Sequence, residues 1–113
     1  MNQQKLLIVQ QNSIFFIESN KIIFMQSDNC YTTIFLTGGK TILACKSISK
    51  LQKELEPEIF IRVSQSYLIN RSSIEHIDKK KKSIGLTENH NIGYTIALKT
   101  LMVLLKSQVS SKD

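Results

Sequence analysis

Short apolar runs, separated by polar turn residues, extend through most of this chain of 113 residues. Runs rich in Ile, Phe, Tyr, Val and Thr are typical of β-strands. The run at 22–25 has no polar alternation, which is typical of a strand that is buried on both faces. The pattern predicts strands at 5–9, 14–17, 22–25, 31–36, 41–44, 60–63, 67–69, 74–77, 84–86 and 94–96, with a loop at 27–29.

Two adjacent glycines, Gly38 and Gly39, separate the runs 31–36 and 41–44. Glycine adopts positive φ angles without steric cost, so this pair is typical of a tight turn between antiparallel strands. The sequence therefore predicts a β-hairpin at 31–44.

A first helix is indicated by Ile48, Leu51 and Leu55, which are spaced three and four residues apart and form one apolar stripe. Either Ser47 or Ser49 can cap its N-terminus. The single proline of the chain follows the stripe and forbids helical geometry at the residue before it. The pattern predicts a short helix that ends near residue 56.

A second helix is predicted at 98–106, where Leu98, Leu101 and Leu105 face inward and residues 102–104 make the helix apolar nearly all round. The remaining residues are polar and are expected to be flexible. The predicted fold is mainly β with two short helices. Its predicted divisions are N-terminal strands in 1–20, one main domain in 21–106 and a flexible tail in 107–113.

The composition narrows the class of partner. A net charge of +6 and a pI of about 9.5 favour an anionic partner such as nucleic acid. No apolar run approaches the ~20 residues that a membrane span needs, and the first apolar patch is too short for a signal peptide. Two cysteines make neither a disulfide framework nor a metal site. A cytoplasmic protein without a membrane partner is expected.

The sequence shows no arrangement of residues that is typical of a catalytic site. His76 and His90 are isolated from one another, and no serine, cysteine or carboxylate constellation accompanies either of them. The four glycines do not form a phosphate-binding loop. We therefore expect no enzymatic activity, no cofactor, no metal and no small-molecule substrate.

The stretch 60–70 carries the most informative pattern. A polar tripeptide, Ser64-Gln65-Ser66, lies between two apolar runs that are predicted to be buried strands. Such a tripeptide is held rigidly and is presented outward, which is typical of a binding element on a scaffold. The segment resembles the hallmark of LytTR-type DNA-binding domains of response regulators, F-x-R-x-x-x-S-x-x-V-N-x-x-x-I. The matching residues are Phe60, Arg62, Ser66, Ile69 in place of the Val, Asn70 and Ile74.

Two further segments strengthen the resemblance. Residues 22–31 are similar to the family pattern I-x-Y-I-E-A-x-x-N-Y, with Tyr31 kept and Cys30 in place of the Asn. Residues 46–51 are similar to the basic residue followed by S-L-x-x-L that heads a helix in the family. The resemblance implies an extended antiparallel β-fold, and a bacterial transcriptional regulator of a two-component system that inserts loops into the grooves of double-stranded DNA.

The resemblance also implies which residues contact DNA. Three loops are implicated: the one before Tyr31, the tripeptide, and the one that leads to the last helix, where Ala97 and Leu98 replace the family's usual Ser-Arg pair. Gln65 suits base readout because a Gln side chain pairs bidentately with adenine. The expected base contacts are Asn29, Cys30, Ser64, Gln65 and Lys99. The expected backbone contacts are Lys46, Ser66, Lys79, Lys80, Lys81 and Lys82. The DNA is expected to be a promoter region with repeated sites.

Several interpretations stay open at the level of sequence. The lysine run at 79–82 suits either phosphate binding or a solvated turn. Arg62 suits either a hydrogen bond to a nearby carbonyl or acid or a contact with DNA, and Asn70 suits either a structural cap or a ligand contact. Core positions are expected for Tyr31, Tyr67 and Cys45. The alternative function is a protein-interaction or dimerisation module on a LytTR-like scaffold, based on the apolar residues 102–104. A homodimer is left open in either case.

Overall fold

The structure is a computed structural model that describes residues 5–109, with side chains as far as Lys106. Its described part is mainly β, as the sequence predicts. The ten strands are β1 Lys5–Gln10, β2 Ser13–Glu18, β3 Ile22–Asp28, β4 Tyr31–Leu36, β5 Thr41–Ala44, β6 Phe60–Arg62, β7 Tyr67–Asn70, β8 Ile74–Asp78, β9 Ser83–Leu86 and β10 His90–Gly93. The two α-helices are α1 Ile48–Lys53 and α2 Leu98–Val109.

The strands form three antiparallel sheets. A five-stranded sheet has the order β5-β4-β3-β7-β6, a three-stranded sheet has the order β10-β9-β8, and β1 pairs with β2 in a separate hairpin. Strand β3 occupies the middle of the larger sheet, between β4 and β7. The fold prediction of an antiparallel, mainly β protein with two short helices is confirmed.

The two faces of β3 contribute to two different hydrophobic cores. Ile22 and Met25 belong to a first core, which β1, β2 and α1 cover with Leu6, Ile8, Ile17, Ile48 and Leu51. Ile23 and Phe24 belong to a second core, which the three-stranded sheet and α2 cover with Ile84, Leu86, Ile92 and Leu101. The predicted burial of this strand on both faces is confirmed, because all four residues are at most 3% exposed.

The hairpin between β4 and β5 has the predicted glycine turn. Gly38 and Gly39 have φ angles of 84° and 79°. The backbone N–H of Gly38 donates a hydrogen bond of 2.9 Å to the carboxylate of Glu88, which lies between β9 and β10. This contact ties the far end of the larger sheet to the three-stranded sheet.

Two strand predictions are wrong in detail. Strand β3 continues to Asp28 where a loop was expected at 27–29, because the backbone of this polar end pairs with β4 as far as Tyr31. The last strand is His90–Gly93 and not 94–96. Strand β10 pairs with β9 from Leu86 to Ser83, and the chain then leaves the sheet at Tyr94, whose N–H bonds to the carbonyl of Lys82.

Both helices begin where the apolar stripes predict them, but α1 ends at Lys53, before the predicted end near residue 56, so Leu55 lies just beyond it. Ser47 is the residue that caps α1, since its hydroxyl accepts a hydrogen bond from the N–H of Lys50, whereas Ser49 lies inside the helix. Helix α2 begins at Leu98 as expected and continues to Val109, past the predicted end at 106. The rest of the predicted flexible tail, residues 110–113, lies outside the described residues. Within the part of the chain that the structure describes, no helix is long and apolar enough to cross a membrane.

Candidate nucleic-acid interface

Four connections meet at one end of the five-stranded sheet. Because neighbouring strands are antiparallel, β3, β5 and β6 end there, while β4 and β7 begin there. The connection that leads into α2 also lies there, because the N–H of Thr95 donates to the carbonyl of Val63. We call residues 29–30, 45–47, 64–66 and 95–97 the loop edge.

Backbone and side-chain hydrogen bonds hold the loop edge together. The N–H of Ser27, just before the 29–30 turn, donates to the carbonyl of Ser66 at 2.9 Å. The hydroxyl of Thr32 donates to the carbonyl of Lys46 at 2.8 Å. The N–H of Thr95 donates to the carbonyl of Val63 at 2.9 Å. The structure therefore brings together all three of the loops that the sequence resemblance implicates in DNA contact.

The tripeptide is shaped from within by its first residue. The Ser64 hydroxyl accepts hydrogen bonds from the backbone N–H groups of Ser66 and Tyr67, each at 3.1 Å. Ser64 is half-buried, whereas Gln65 and Ser66 are exposed. The Gln65 side chain makes no hydrogen bond to the described residues, so its amide is available to a ligand.

Arg62 donates hydrogen bonds to the backbone carbonyls of the same tripeptide. Its Nε donates to the carbonyl of Ser64 and its Nη2 to the carbonyl of Gln65, both at 2.8 Å. Its Nη1 donates to the Gln52 side-chain oxygen on α1, also at 2.8 Å. One of the two interpretations of Arg62, a hydrogen bond to a nearby carbonyl, is thus confirmed. The guanidinium links the tripeptide to α1 and fixes its backbone.

The second arginine is also engaged inside the molecule. Arg71 donates a short hydrogen bond to the carbonyl of Leu105, near the C-terminal end of α2. The chain has only these two arginines, Arg62 and Arg71. Exposed positive charge is therefore supplied by lysines, which act as point charges and lack the planar fork that pairs bidentately with guanine.

The turn at 79–82 lies next to the loop edge, and the consecutive residues Tyr94 and Thr95 connect the two. The carbonyl of Lys82 accepts from the N–H of Tyr94, and the next residue, Thr95, bonds to Val63. All four lysines are exposed. We call residues 79–82 the lysine turn.

Asp78 organises this turn. Its carboxylate accepts hydrogen bonds from the backbone N–H groups of Lys81 and Lys80, each at 3.0 Å. The hydrogen bond from Lys81 lowers the pKa of Asp78 below its ordinary value, and the bond from Lys80 and the charge of Lys81 act in the same direction. The carboxylate is therefore ionised at neutral pH. Its contribution to the order of the turn is lost only as the pH falls through this lowered pKa.

The turn between β3 and β4 presents three exposed residues. Asn29 has a left-handed backbone with φ of 60°, and both Asn29 and Cys30 are exposed. Tyr31 is 44% exposed, so the prediction that it lies in the core is wrong. Cys45 at the end of β5 is exposed as well, again contrary to prediction. Both residues lie where strands leave the sheet, so the side chains that would cover them in the middle of a strand are missing. Tyr67 is half-buried and packs against the second core, as expected.

The two remaining predicted lysines differ in their surroundings. Lys46 forms an ion pair with Glu54, with an Nζ–Oε2 distance of 2.8 Å, and both side chains are partly exposed. Lys99 is exposed in the first turn of α2, close to Ala97 at the loop edge. A DNA phosphate would therefore have to displace the Glu54 carboxylate in order to contact Lys46.

Three residues that shape the interface were not identified from sequence: Tyr31 as a surface residue, Asp78 and Glu54. The position of Asp78 directly before a run of polar residues is a recognisable signal, because Asp side chains commonly bond to the backbone two residues on. Glu54 offered no comparable signal, since its partner Lys46 lies eight residues away across a helix.

An antiparallel β scaffold with the exposed loop edge and the lysine turn beside it has the features of a nucleic-acid-binding domain. The family model of the LytTr DNA-binding domain matches residues 12–106, and this chain belongs to that family. Family membership implies DNA binding in transcription regulation, and the family is not enzymatic. It does not favour the alternative of an interaction module on residues 102–104.

The structure is similar to a solved LytTr DNA-binding domain of a response regulator from Bacillus cereus. The TM-score is 0.75 over 93% of this chain and 98% of the other chain, at 13% sequence identity. At that identity the likeness establishes a shared fold. A search of curated proteins gave no match.

Proposed function

We propose that this domain binds double-stranded DNA in a sequence-dependent manner and acts as a transcriptional regulator by placing its loop edge into the grooves. The observation that supports this most is the meeting of the tripeptide, the 29–30 turn and the start of α2 at one edge, beside the lysine turn. Scaffolded loops of this kind suit recognition, because the sheet fixes their spacing.

The exposed residues suggest a division of roles. Lys46, Ser66 and the lysine turn contact phosphates and set the position of the domain on the duplex. Gln65 and Asn29 contact base edges, assisted by Cys30, Ser64 and Lys99. Because the Ser64 hydroxyl already accepts two backbone N–H groups, it keeps only its own O–H for a base, and its contribution is smaller than that of Gln65.

The engagement of both arginines indicates the base preference. Bidentate contact with guanine is made most often by arginine, whereas bidentate contact with adenine is made by Gln or Asn. Since Arg62 and Arg71 face inward, readout falls to the amides of Gln65 and Asn29. We expect adenine at the positions of the site that these two side chains contact.

Replacement of Gln65 by Ala tests the base contact. The loss of one bidentate pair should weaken binding to the preferred site by about 1–3 kcal/mol, which is roughly fivefold to 150-fold, and should leave binding to random duplex nearly unchanged. Dissociation constants would be measured at one stated salt concentration, on a duplex selected from a random pool and on a scrambled duplex.

Gln11→Ala serves as the matched control, because Gln11 is an exposed glutamine outside the loop edge. It should leave both dissociation constants unchanged. Equal losses on the selected and scrambled duplexes after Gln65→Ala would refute the assignment of Gln65 as a base contact. If the random pool yields no preferred site and neither variant loses affinity, sequence-dependent binding as a whole is refuted.

The double substitution Lys80→Ala and Lys81→Ala tests the phosphate contacts. Each lost phosphate contact should lower the steepness of log K against log salt by about 0.9, so the double variant should flatten it by up to about 2. Binding to selected and scrambled duplexes should fall alike. The readout is fluorescence anisotropy over a salt series.

Lys21→Ala with Lys40→Ala removes the same charge elsewhere and is the control. Both lysines are exposed, and both lie at the opposite end of β4, where their carbonyls accept from Thr37 and Leu36. This pair should leave the salt dependence close to that of the unmodified protein. An equal flattening by both double variants would mean that overall charge, and not the lysine turn, governs the attraction.

A further inference from the structure

The N-terminal hairpin has a second apolar face that nothing in the described structure covers. In an antiparallel pair, directly opposed residues lie on the same face. Leu7 is opposite Phe16 and Val9 is opposite Ile14. These four side chains are 48%, 63%, 66% and 56% exposed, respectively. We call them the outer hairpin face.

The inner face of the same hairpin is also apolar. Leu6, Ile8 and Ile17 are buried in the first core. A two-stranded ribbon on the surface of a monomer ordinarily alternates between apolar residues on the inside and polar residues on the outside. The hairpin departs from this alternation at both of its exposed cross-strand pairs, and contiguous exposed apolar patches of this kind mark interaction sites.

The charges of the hairpin distinguish it from the rest of the chain. Among residues 5–18 only Lys5 and Glu18 are charged, and they are directly opposite one another. The hairpin is therefore neutral, although the whole chain carries a net charge of +6. Two copies of the chain repel each other over most of their surfaces but not at this hairpin.

We propose that the outer hairpin face is a self-association surface on which a second copy of this chain packs face to face. A two-fold axis parallel to the strands would place β1 of one copy over β2 of the other. Leu7 would then meet Phe16, Val9 would meet Ile14, and Lys5 of each copy would meet Glu18 of the other. The surface is thus self-complementary in size and in charge, as an isologous contact requires.

The area of the face indicates how stable the dimer is. The four side chains offer on the order of 400 Å² of apolar surface per copy, which is comparable to the largest patch of a typical monomer. Two copies bury roughly twice that area, which is below the ~1,200–2,000 Å² of a stable specific complex. The dimer is therefore weak and reversible.

A groove beside the face enlarges the contact. It lies between the hairpin and the β4–β5 hairpin and has a volume of about 850 Å³. Its lining combines apolar side chains, among them Phe16, Ile42 and Leu43, with the charged side chains of Lys5, Glu18, Lys21 and Lys40. Leu43 is 48% exposed on the edge strand β5. The rim of the groove gives the side chains of a second copy further apolar contacts next to Phe16.

Sedimentation velocity over a concentration series, without DNA, tests this proposal independently of the proposed DNA binding. The unmodified domain should shift from monomer to dimer as concentration rises. The salt concentration would be held fixed, because salt screens both the overall repulsion between two positively charged copies and the attraction between Lys5 and Glu18. Phe16→Ser should raise the dissociation constant at least about tenfold, whereas Val103→Ser, at an equally exposed position of α2, should not change it.

A charge exchange tests the arrangement of the two copies. Lys5→Glu makes the face acidic and Glu18→Lys makes it basic, so each variant alone should lose the dimer. A mixture of the two variants should restore it, because an acidic face then meets a basic one. A monomer at every concentration of the unmodified domain, equal effects of Phe16→Ser and Val103→Ser, or no restoration in the mixture would overturn the proposal.

Discussion

Replacing Arg62 with Lys should weaken DNA binding by about tenfold to a hundredfold although the net charge remains +6. The guanidinium donates to the carbonyls of Ser64 and Gln65 and to the Gln52 side chain, all at 2.8 Å. A lysine has one nitrogen in place of the planar fork and cannot reach three acceptors in these directions. Hydrogen bonds from charged donors contribute about 1.5–3 kcal/mol each, and the partial exposure of Arg62 reduces this figure.

The loss is expected because the tripeptide becomes free to leave its observed geometry, in which Gln65 is proposed to contact a base. An ordered loop binds without a further cost of ordering, whereas a loosened loop has to be ordered during binding. Dissociation constants on selected and scrambled duplexes would be compared, together with hydrogen exchange at the N–H groups of Ser66 and Tyr67. Exchange should be faster in the Arg62→Lys variant.

Gln52→Ala provides the graded control for Arg62. It removes the hydrogen bond from the guanidinium to Gln52 and leaves in place the two carbonyl contacts and the longer contact of 3.5 Å with the Ser49 hydroxyl. Its effect on DNA binding should be smaller than that of Arg62→Lys. Unchanged DNA affinity and unchanged exchange in Arg62→Lys would show that the loop keeps its shape without this side chain.

Replacing Asn70 with Ala should lower the free energy of unfolding by about 2–4 kcal/mol. Asn70 is only 2% exposed, and its Nδ2 donates to the carbonyl of Ile22 at 2.9 Å. Its Oδ1 accepts from the N–H of Ser72 at 3.0 Å and from the Ser72 hydroxyl at 2.8 Å, which caps the short 3-10 helix Arg71–Ser73. The structure confirms the interpretation of Asn70 as a structural cap.

The cost is large because the substitution leaves the carbonyl of Ile22 without this donor inside the protein. Unfolding in urea, followed by circular dichroism, gives the free energy. Asn91→Ala is the matched control, since Asn91 is exposed on β10, and it should stay within about 0.5 kcal/mol. A similar small change for Asn70→Ala would mean that the link between β7 and β3 does not depend on this side chain.

The well-predicted elements are those whose signals are local. The hairpin at 31–44 follows from Gly38 and Gly39 between two β-prone runs, and both of its strands have the predicted bounds. The stripe of Ile48, Leu51 and Leu55 predicts α1 because helical spacing places such side chains on one face; all three are buried, although Leu55 lies just past the end of the helix.

The errors arose where pairing between distant segments overrides local preference. Tyr94 and Ile96 are typical strand residues, yet the preceding stretch, which has Ile92 as its one apolar side chain, forms β10 because β9 pairs with it. The polar end of β3 at Ser27 and Asp28 was predicted as a loop, but both residues pair with β4, and the N–H of Ser27 also donates to the carbonyl of Ser66. Polar residues stay in a strand when both sides of their backbone are hydrogen-bonded.

At the candidate site too, the features with a local signal were predicted and those set by distant contacts were not. The residue types of the tripeptide and the hallmark positions around it indicated a DNA-binding domain of the LytTR family, which the family match confirms. The surface positions of Tyr31 and Cys45 and the pairing of Lys46 with Glu54 had no local signal. Each depends on where strands end and on which segments lie beside them.

By itself, the sequence determined the mainly β class, the positions of most elements and the family, because apolar periodicity, turn glycines and a hallmark segment are properties of short stretches. Only the tertiary structure decided which loops share an edge. Ser27 meets Ser66, and Val63 meets Thr95, across some thirty to forty residues of chain. Such contacts are set by the register of antiparallel strands around β3, and this register results from packing both faces of one strand into two cores.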